Sequence, residues 1–491
     1  MEKNRSEPVP RLGMWLQELL LEMIKRLLTS STGGRRSSRI PQILSTAESR
    51  PSRPAPLPWG EGGRRPGEGV CCLRDATHSG IGLVATTLFL LPVFFAGLGL
   101  NLGLETPKST FPKFVERELE SNFGVGYAVT TADVNGDGKI DIVAINPTQA
   151  AWFESPSWKK HIMMDGRTKK DNVCIALNDI DGDGRIDVAL GAEWMPTNTE
   201  SGGTLQWLRQ PENLQQAWSL FPIGSEPTLH RIRWGDFDGD GKKELLVAPL
   251  QGRGTKGPHW GEGRGVRLLL FRKPSDPTKE TWSTEIIDET LHTLHNILVV
   301  NFDDDPADEI ITASLEGIFL FDRRKDGQWT KRQLGEGNPD EKGGPGAGEI
   351  KLGRFRSGKK YLATIEPWHG HQVVVYLAPE KTGDLWRRQI LDSKLKQGHA
   401  LWCADLDGDG DDELVVGWRE ASETIQRPGI AVYDPQDENW DAGKKYLIDV
   451  GGMATEDLTV TDLNQDGYLD IVAVGRATHN VKIYLNQGAG N

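Results

Sequence analysis

One nine-residue acidic pattern occurs six times in this chain, and a motif repeated in fixed register commits a sequence to a repeat architecture. The copies are Asp133–Asp141, Asp179–Asp187, Asp236–Glu244, Asn301–Glu309, Asp405–Glu413 and Asp462–Asp470, each reading D/N-x-D/N-x-D-x-x-x-D/E. Positions 1, 3 and 5 supply side-chain oxygens, position 7 a backbone carbonyl, and position 9 a closing carboxylate. Hard oxygens at that spacing suit Ca²⁺. The expected ligands are Asp133, Asn135, Asp137 and Asp141, then Asp179, Asp181, Asp183 and Asp187, then Asp236, Asp238, Asp240 and Glu244. They continue as Asn301, Asp303, Asp305 and Glu309, Asp405, Asp407, Asp409 and Glu413, and Asp462, Asn464, Asp466 and Asp470. The closing acid comes three residues earlier than in an EF-hand, and strand-like sequence flanks each loop, which excludes that motif.

Two further features keep step with the loops. A short alternating strand ending in an aromatic follows each: Ala151–Phe153, Leu205–Trp207, Leu269–Phe271, Ile318–Phe321, Val373–Tyr376, Ile430–Tyr433 and Val481–Tyr484. After it comes a strand that opens on Trp and closes on an aliphatic: Trp158–Ile162, Trp218–Ile223, Trp282–Ile287, Trp329–Leu334, Trp386–Leu391 and Trp440–Ile448. A seventh copy of that last strand stands at the front, Phe114–Leu119. The aromatic strands number seven, one more than the acidic loops. The expectation is therefore all-β: a seven-bladed β-propeller of four-stranded blades over 111–491, its ring closed by the amino-terminal strand. In the fifth repeat Gly353–Lys359 replaces the acids with basic residues, so that blade is expected to bind no calcium.

Residues 1–79 carry 13 Lys/Arg against 8 Asp/Glu, a net of +5, whereas the whole chain is −13, leaving −18 for the rest. An acidic body with no basic stripe argues against nucleic acid as a partner. Of the four cysteines, Cys174 and Cys403 fall in separate repeats, so no disulfide is expected between them. Residues 1–79 are rich in Arg, Ser, Pro and Gly and read as a disordered leader, or as a gene-model artefact with the true start near Val70. Gly80–Leu104 is 25 residues without a charge, long enough for a transmembrane anchor and also readable as a signal peptide. Either places the propeller outside the cytoplasm: secreted, periplasmic or membrane-anchored.

The loop pattern, with Asn122-Phe-Gly124 and Ala248-Pro249, resembles the FG-GAP/VCBS repeats of calcium-binding propellers such as integrin α-chains, from Phe111 to the end. That resemblance implies up to six structural Ca²⁺ ions. Chemistry has to come from a site placed on the scaffold. Three of the ten histidines, His230, His295 and His399, stand six residues before the first acid of their loops, where the other repeats have Tyr127, Val173, Gly348 and Glu456. Equal register on innermost strands puts them on one ring around the channel mouth, opposite the calcium loops. Three imidazoles and a carboxylate can hold Zn²⁺ or another divalent metal, which can polarise a carbonyl beside a general base.

The His-bearing strands and Trp368-His-Gly-His371 also resemble the propeller domain of aldos-2-ulose dehydratases, metal-dependent lyases that remove water from keto-sugars. The resemblance implies His230, His295 and His399 as metal ligands. It implies His369, His371, Glu349 and Glu456 as acid–base candidates, and Arg231, next to a ring position, is a further catalytic candidate. The leading expectation is an exported lyase, a dehydratase or isomerase, that abstracts an α-proton from a keto-sugar and eliminates at the β-carbon. The alternative is a non-enzymatic calcium-stabilised propeller for adhesion or for carbohydrate, polysaccharide or protein binding. A redox propeller with a quinone cofactor has no specific support in the sequence.

Overall fold

The structure, a computed structural model, describes residues 111–489 apart from 304, 341–343, 423, 425 and 426. The expectations for the leader and the apolar run fall outside these residues. Among the described residues no helix is long and apolar enough to cross a membrane.

The described residues form seven antiparallel sheets of four strands each. Their innermost strands are Ala128–Ala132, Cys174–Asn178, Leu229–Gly235, Asn296–Val300, Lys351–Arg354, Gly398–Ala404 and Thr455–Thr461. We number the blades one to seven in that order. The first and last inner strands lie against each other, which closes the ring. Blade seven takes its outer strand from the front of the chain: Phe114–Glu120 pairs antiparallel with Val481–Asn486. The amino-terminal closure expected from the odd seventh strand is therefore present.

Alternation along each strand sends successive side chains to opposite faces. Ile142 packs toward blade seven and Val143 toward blade two. The core is accordingly divided into slabs, one at each of the seven blade–blade interfaces. Stability then comes from nearest-neighbour interfaces, as in other repeat folds.

The outer strands show why the Trp/aliphatic pattern repeats. Each carries a β-bulge, and the skipped residue is Met163, Ile223, Ile287, Leu334, Leu391, Ile448 or Leu119. The bulge turns that side chain inward and breaks the flat edge that another sheet could pair with. In blade one the inward residue is Met163, 1% exposed, and the sequence-assigned Ile162 is 45% exposed. Five of the six tryptophans precede their strands; only Trp329 begins one. In blade two the aromatic is displaced. Leu208 pairs with Val188 as Phe153 does with Ile142, so Trp207 faces blade three. Cys174 and Cys403 are both free.

Candidate active-site mouth

The ring histidines owe their aim to backbone irregularity. In blades three, six and seven the inner strand enters with a bulge, and the skipped residue is His230, His399 or Glu456. A bulge residue leaves the ladder and its side chain is redirected, here into the channel. His295 immediately precedes its strand, its N–H donating to Ala313 O at 3.0 Å.

Each ring imidazole is then pinned by the next blade. His230 Nδ1 donates to His295 O at 2.9 Å, His295 Nδ1 to Gly348 O at 2.7 Å, and His399 Nδ1 to Glu456 O. In all three cases the acceptor is the ring residue of the following blade. A carbonyl only accepts, so the proton sits on Nδ1 and Nε2 keeps its lone pair.

Blade five fills its ring position differently. A Cβ on Gly348 would lie 3.0 Å from Trp368 Cα, so the missing side chain makes room for the Glu366–His371 turn. A Cβ on Gly370 would meet the Glu366 carbonyl at 2.1 Å, and His369 adopts φ 51°. This tight turn lays His369 over the mouth, its Nε2 3.0 Å from His295 Nε2. Four consecutive blades thus present imidazoles. Nitrogens of His295, His369 and His399 lie within 4.8 Å of one another.

His230 stands beside this trio rather than in it. Its Nε2 accepts a hydrogen bond from Arg231 Nη1 at 2.9 Å, and its ring stacks on Trp194. Of the expected metal ligands His230, His295 and His399, the structure groups His295 and His399 with His369 instead of with His230, whose Nε2 is taken by Arg231. Burial holds His230, His369 and His399 well below the usual imidazole pKa, reinforced by Arg231 at His230 and by Arg419 at the other two. Burial also lowers His295, against the opposing pull of Glu349. All four are neutral at neutral pH, the state a metal ligand or a base requires.

The carboxylates are braced. Glu349 accepts from Asn296 Nδ2, and its Oε1 lies 3.1 Å from His295 Nδ1 and 3.9 Å from Arg231 Nη2. Glu456 sits between Arg419 Nε at 2.6 Å and Arg476 Nη1 at 3.1 Å. Arg476 also covers the Tyr127 ring. His371 is not brought in: its side chain is exposed and meets Gln372. His259 and His479 are exposed too, and His292 pairs with Glu316 at 2.7 Å.

At the other end of the inner strands the acidic loops gather their carboxylates around backbone N–H groups. Asp133 accepts from the N–H groups of Gly136, Asp137 and Gly138, Asp179 from those of Gly182, Asp183 and Gly184, Asp405 from Gly408 and Gly410, and Asp462 from Asp466 and Gly467. Four loops bring three acids within 4.8 Å: Asp179/Asp181/Asp187, Asp236/Asp238/Asp240, Asp303/Asp305/Glu309 and Asp405/Asp407/Glu413. Burial, with neighbouring acids, raises every closing carboxylate. Asp141 and Asp470 reach about 6, Asp187, Glu244 and Glu309 about 7, and Glu413 about 10. Glu413 Oε1 is buried without a hydrogen-bond donor. Carboxylate oxygens that converge on a buried closing acid, as in the loops of blades two, four and six, fit a hard divalent cation. In blade five Arg354 and Arg356 stand at acid positions and Tyr361 takes the closing position. Their backbone N–H groups bond Asp412 and Asp411 of blade six.

Residues 202–379 match the aldos-2-ulose dehydratase β-propeller domain family, a span that contains His230, His295, Glu349 and His369. Residues 133–190 match the FG-GAP-like repeat. The aldos-2-ulose dehydratase of Phanerodontia chrysosporium is 27% identical over 361 residues, 67% of this chain; the chain spans 38% of that protein's length. A lectin of Agrocybe aegerita that recognises non-reducing terminal N-acetylglucosamine superposes with a TM-score of 0.42 at 14% identity, over 70% of this chain and 82% of the lectin. BBS1N in complex with ARL6DN gives 0.47 at 15% identity, over 78% and 99%.

Proposed function

We propose that the mouth is the active centre of a metal-dependent carbon–oxygen lyase that dehydrates a keto-sugar. The carrying observation is the convergence of His295, His369 and His399, neutral and with two tautomers fixed by backbone carbonyls. Likeness to an aldos-2-ulose dehydratase supports the same class of reaction. A divalent ion held by the three imidazoles would polarise the substrate carbonyl and acidify its α-carbon.

The protein's own groups would do the rest. His230 is the proposed proton acceptor, since its tautomer leaves Nε2 basic and the trio does not use it. Arg231 would release that nitrogen on substrate entry. The α-proton passes to His230 Nε2, the C–H electrons form the new C=C, and the β C–O bond breaks. His230 returns its proton to the departing hydroxide, which leaves as water. Glu349 would hold His295 in place through Nδ1, while Glu456 would fix Arg419 and Arg476 at the opposite rim. We further propose that the acidic loops hold structural Ca²⁺ and that the propeller works outside the cytoplasm, where calcium is abundant.

The test combines metal analysis with dehydration of 1,5-anhydrofructose, followed by absorbance of the enone product. Wild type should retain a transition metal through mild chelation. His399→Gln should lose it and fall at least about a thousandfold in kcat/KM. Full activity in metal-free protein would overturn the reading.

A further inference from the structure

We infer that the acidic loops are not equivalent: blade six holds the tightest cation site, while arginines of the chain itself occupy blades two and three. The inference rests on the proposal that the loops bind Ca²⁺.

The register explains the grading. Each closing acid opens a strand whose next residue pairs with a fixed position on the neighbouring strand: Ile142 with Phe153, Val188 with Leu208, Leu245 with Phe271, Ile310 with Phe321, Leu414 with Tyr433 and Ile471 with Tyr484. The residue after each of those partners therefore stands beside the closing acid. It is an acid in blades one, four and six (Glu154, Asp322, Asp434), Leu485 in blade seven, and arginine in blades two and three (Arg209, Arg272). Opposed like charges favour a cation between them, whereas an arginine supplies one; in blade one His161 Nε2 already lies 2.8 Å from Glu154 Oε2.

Contacts follow this pattern. Arg209 Nε reaches Asp181 Oδ2 at 2.5 Å, and its Nη2 reaches Asp183 Oδ2 at 3.3 Å. Arg272 Nη1 lies 3.0 Å from Glu244 Oε1, and Arg323 Nη1 reaches Asp238 Oδ2 from blade four at 3.0 Å. The oxygens a cation would take are those the guanidinium groups hold. Blade six is the contrast: the buried Asp181 Oδ2 of blade two has the Arg209 guanidinium beside it, whereas Glu413, 1% exposed, has its Oε1 buried with no donor, and one of its oxygens lies within 4.8 Å of oxygens of Asp405 and Asp407. Six loops less two leaves four strong sites.

The experiment is calcium titration of the EGTA-stripped full chain by calorimetry, with bound metal counted after gel filtration in micromolar free Ca²⁺. Wild type should hold four ions, with two further sites at least about tenfold weaker. Arg272→Gln should raise the tight count by one, and Glu413→Gln should lower it by one. Six equal sites, or an Arg272→Gln protein that binds no more calcium than wild type, would overturn the grading. No calcium uptake by any loop would instead remove the calcium reading itself. Arg272→Gln is read as a gain of binding, so a failure of Glu413→Gln to fold leaves that outcome decisive.

Discussion

At the acidic turns the first acid of a loop accepts from backbone N–H groups of that loop, whereas at the mouth His230, His295 and His399 are each held by a carbonyl of the next blade. The first arrangement is local. It depends on residues within a single nine-residue pattern, and the proposed Ca²⁺ would settle the carboxylates it gathers. The second exists only when neighbouring blades are docked. The difference separates a face that maintains blade geometry from a face that reports it: a shift between blades three and four would tilt His230 directly, because its tautomer depends on His295 O.

The most severe way to break this contrast is to remove calcium. If four sites each contribute about 2.7 kcal/mol at a hundredfold excess over Kd, EGTA should lower the melting temperature by at least about 10 °C. His369→Gln should shift it by no more than about 2 °C. Equal effects at both ends would erase the distinction.

A subtler test uses pH, because the two ends titrate in opposite senses. The closing carboxylates other than Glu413 have raised folded pKa values of about 6 to 7, with Asp187 and Glu309 near 7. In calcium-free protein they contribute stability that is full below about pH 4 and lost as pH rises through 6 to 7. The mouth imidazoles are depressed, so their contribution is present above about pH 6.5 and lost as pH falls. The calcium-dependent part of the melting temperature isolates the loops. It should grow from pH 5 to pH 8, and a calcium effect independent of pH would contradict the assignment.

The smallest expected effect concerns His371. Exposed and in contact with Gln372, it should tolerate alanine with less than about a twofold change in kcat/KM, and a larger loss would place it among the working residues.

The blades were legible because period-two strands and acidic turns are local patterns. Seven aromatic strands, the amino-terminal closing strand and the acid-free fifth loop all follow from them. His295 and His399 were legible for the same reason, sharing one register on inner strands. His369 was not, since its place depends on how a turn folds back onto Gly348, a contact between segments 21 residues apart. Gly348 was nonetheless a signal: an empty ring position in the blade that carries Trp368-His-Gly-His371. The bulges were hidden likewise. The closing aliphatics of the outer strands were visible, but that they are the skipped residues is a matter of pairing. Arg209 and Arg272 needed the register as well, because only strand pairing sets them beside Asp187 and Glu244.

The outer strand of blade seven has a consequence for how the molecule comes into being. Phe114–Glu120 leaves the ribosome first among the propeller strands, yet its partner Val481–Asn486 is among the last. Glu116 and Lys482, which meet at 3.2 Å, are separated by 366 positions. During vectorial synthesis six blades can form in turn while this first strand waits unpaired. The ring is therefore a clasp that shuts once, only after Val481–Asn486 has been made, and a nascent chain truncated anywhere before Val481 carries an open arc with an unsatisfied strand at its leading end.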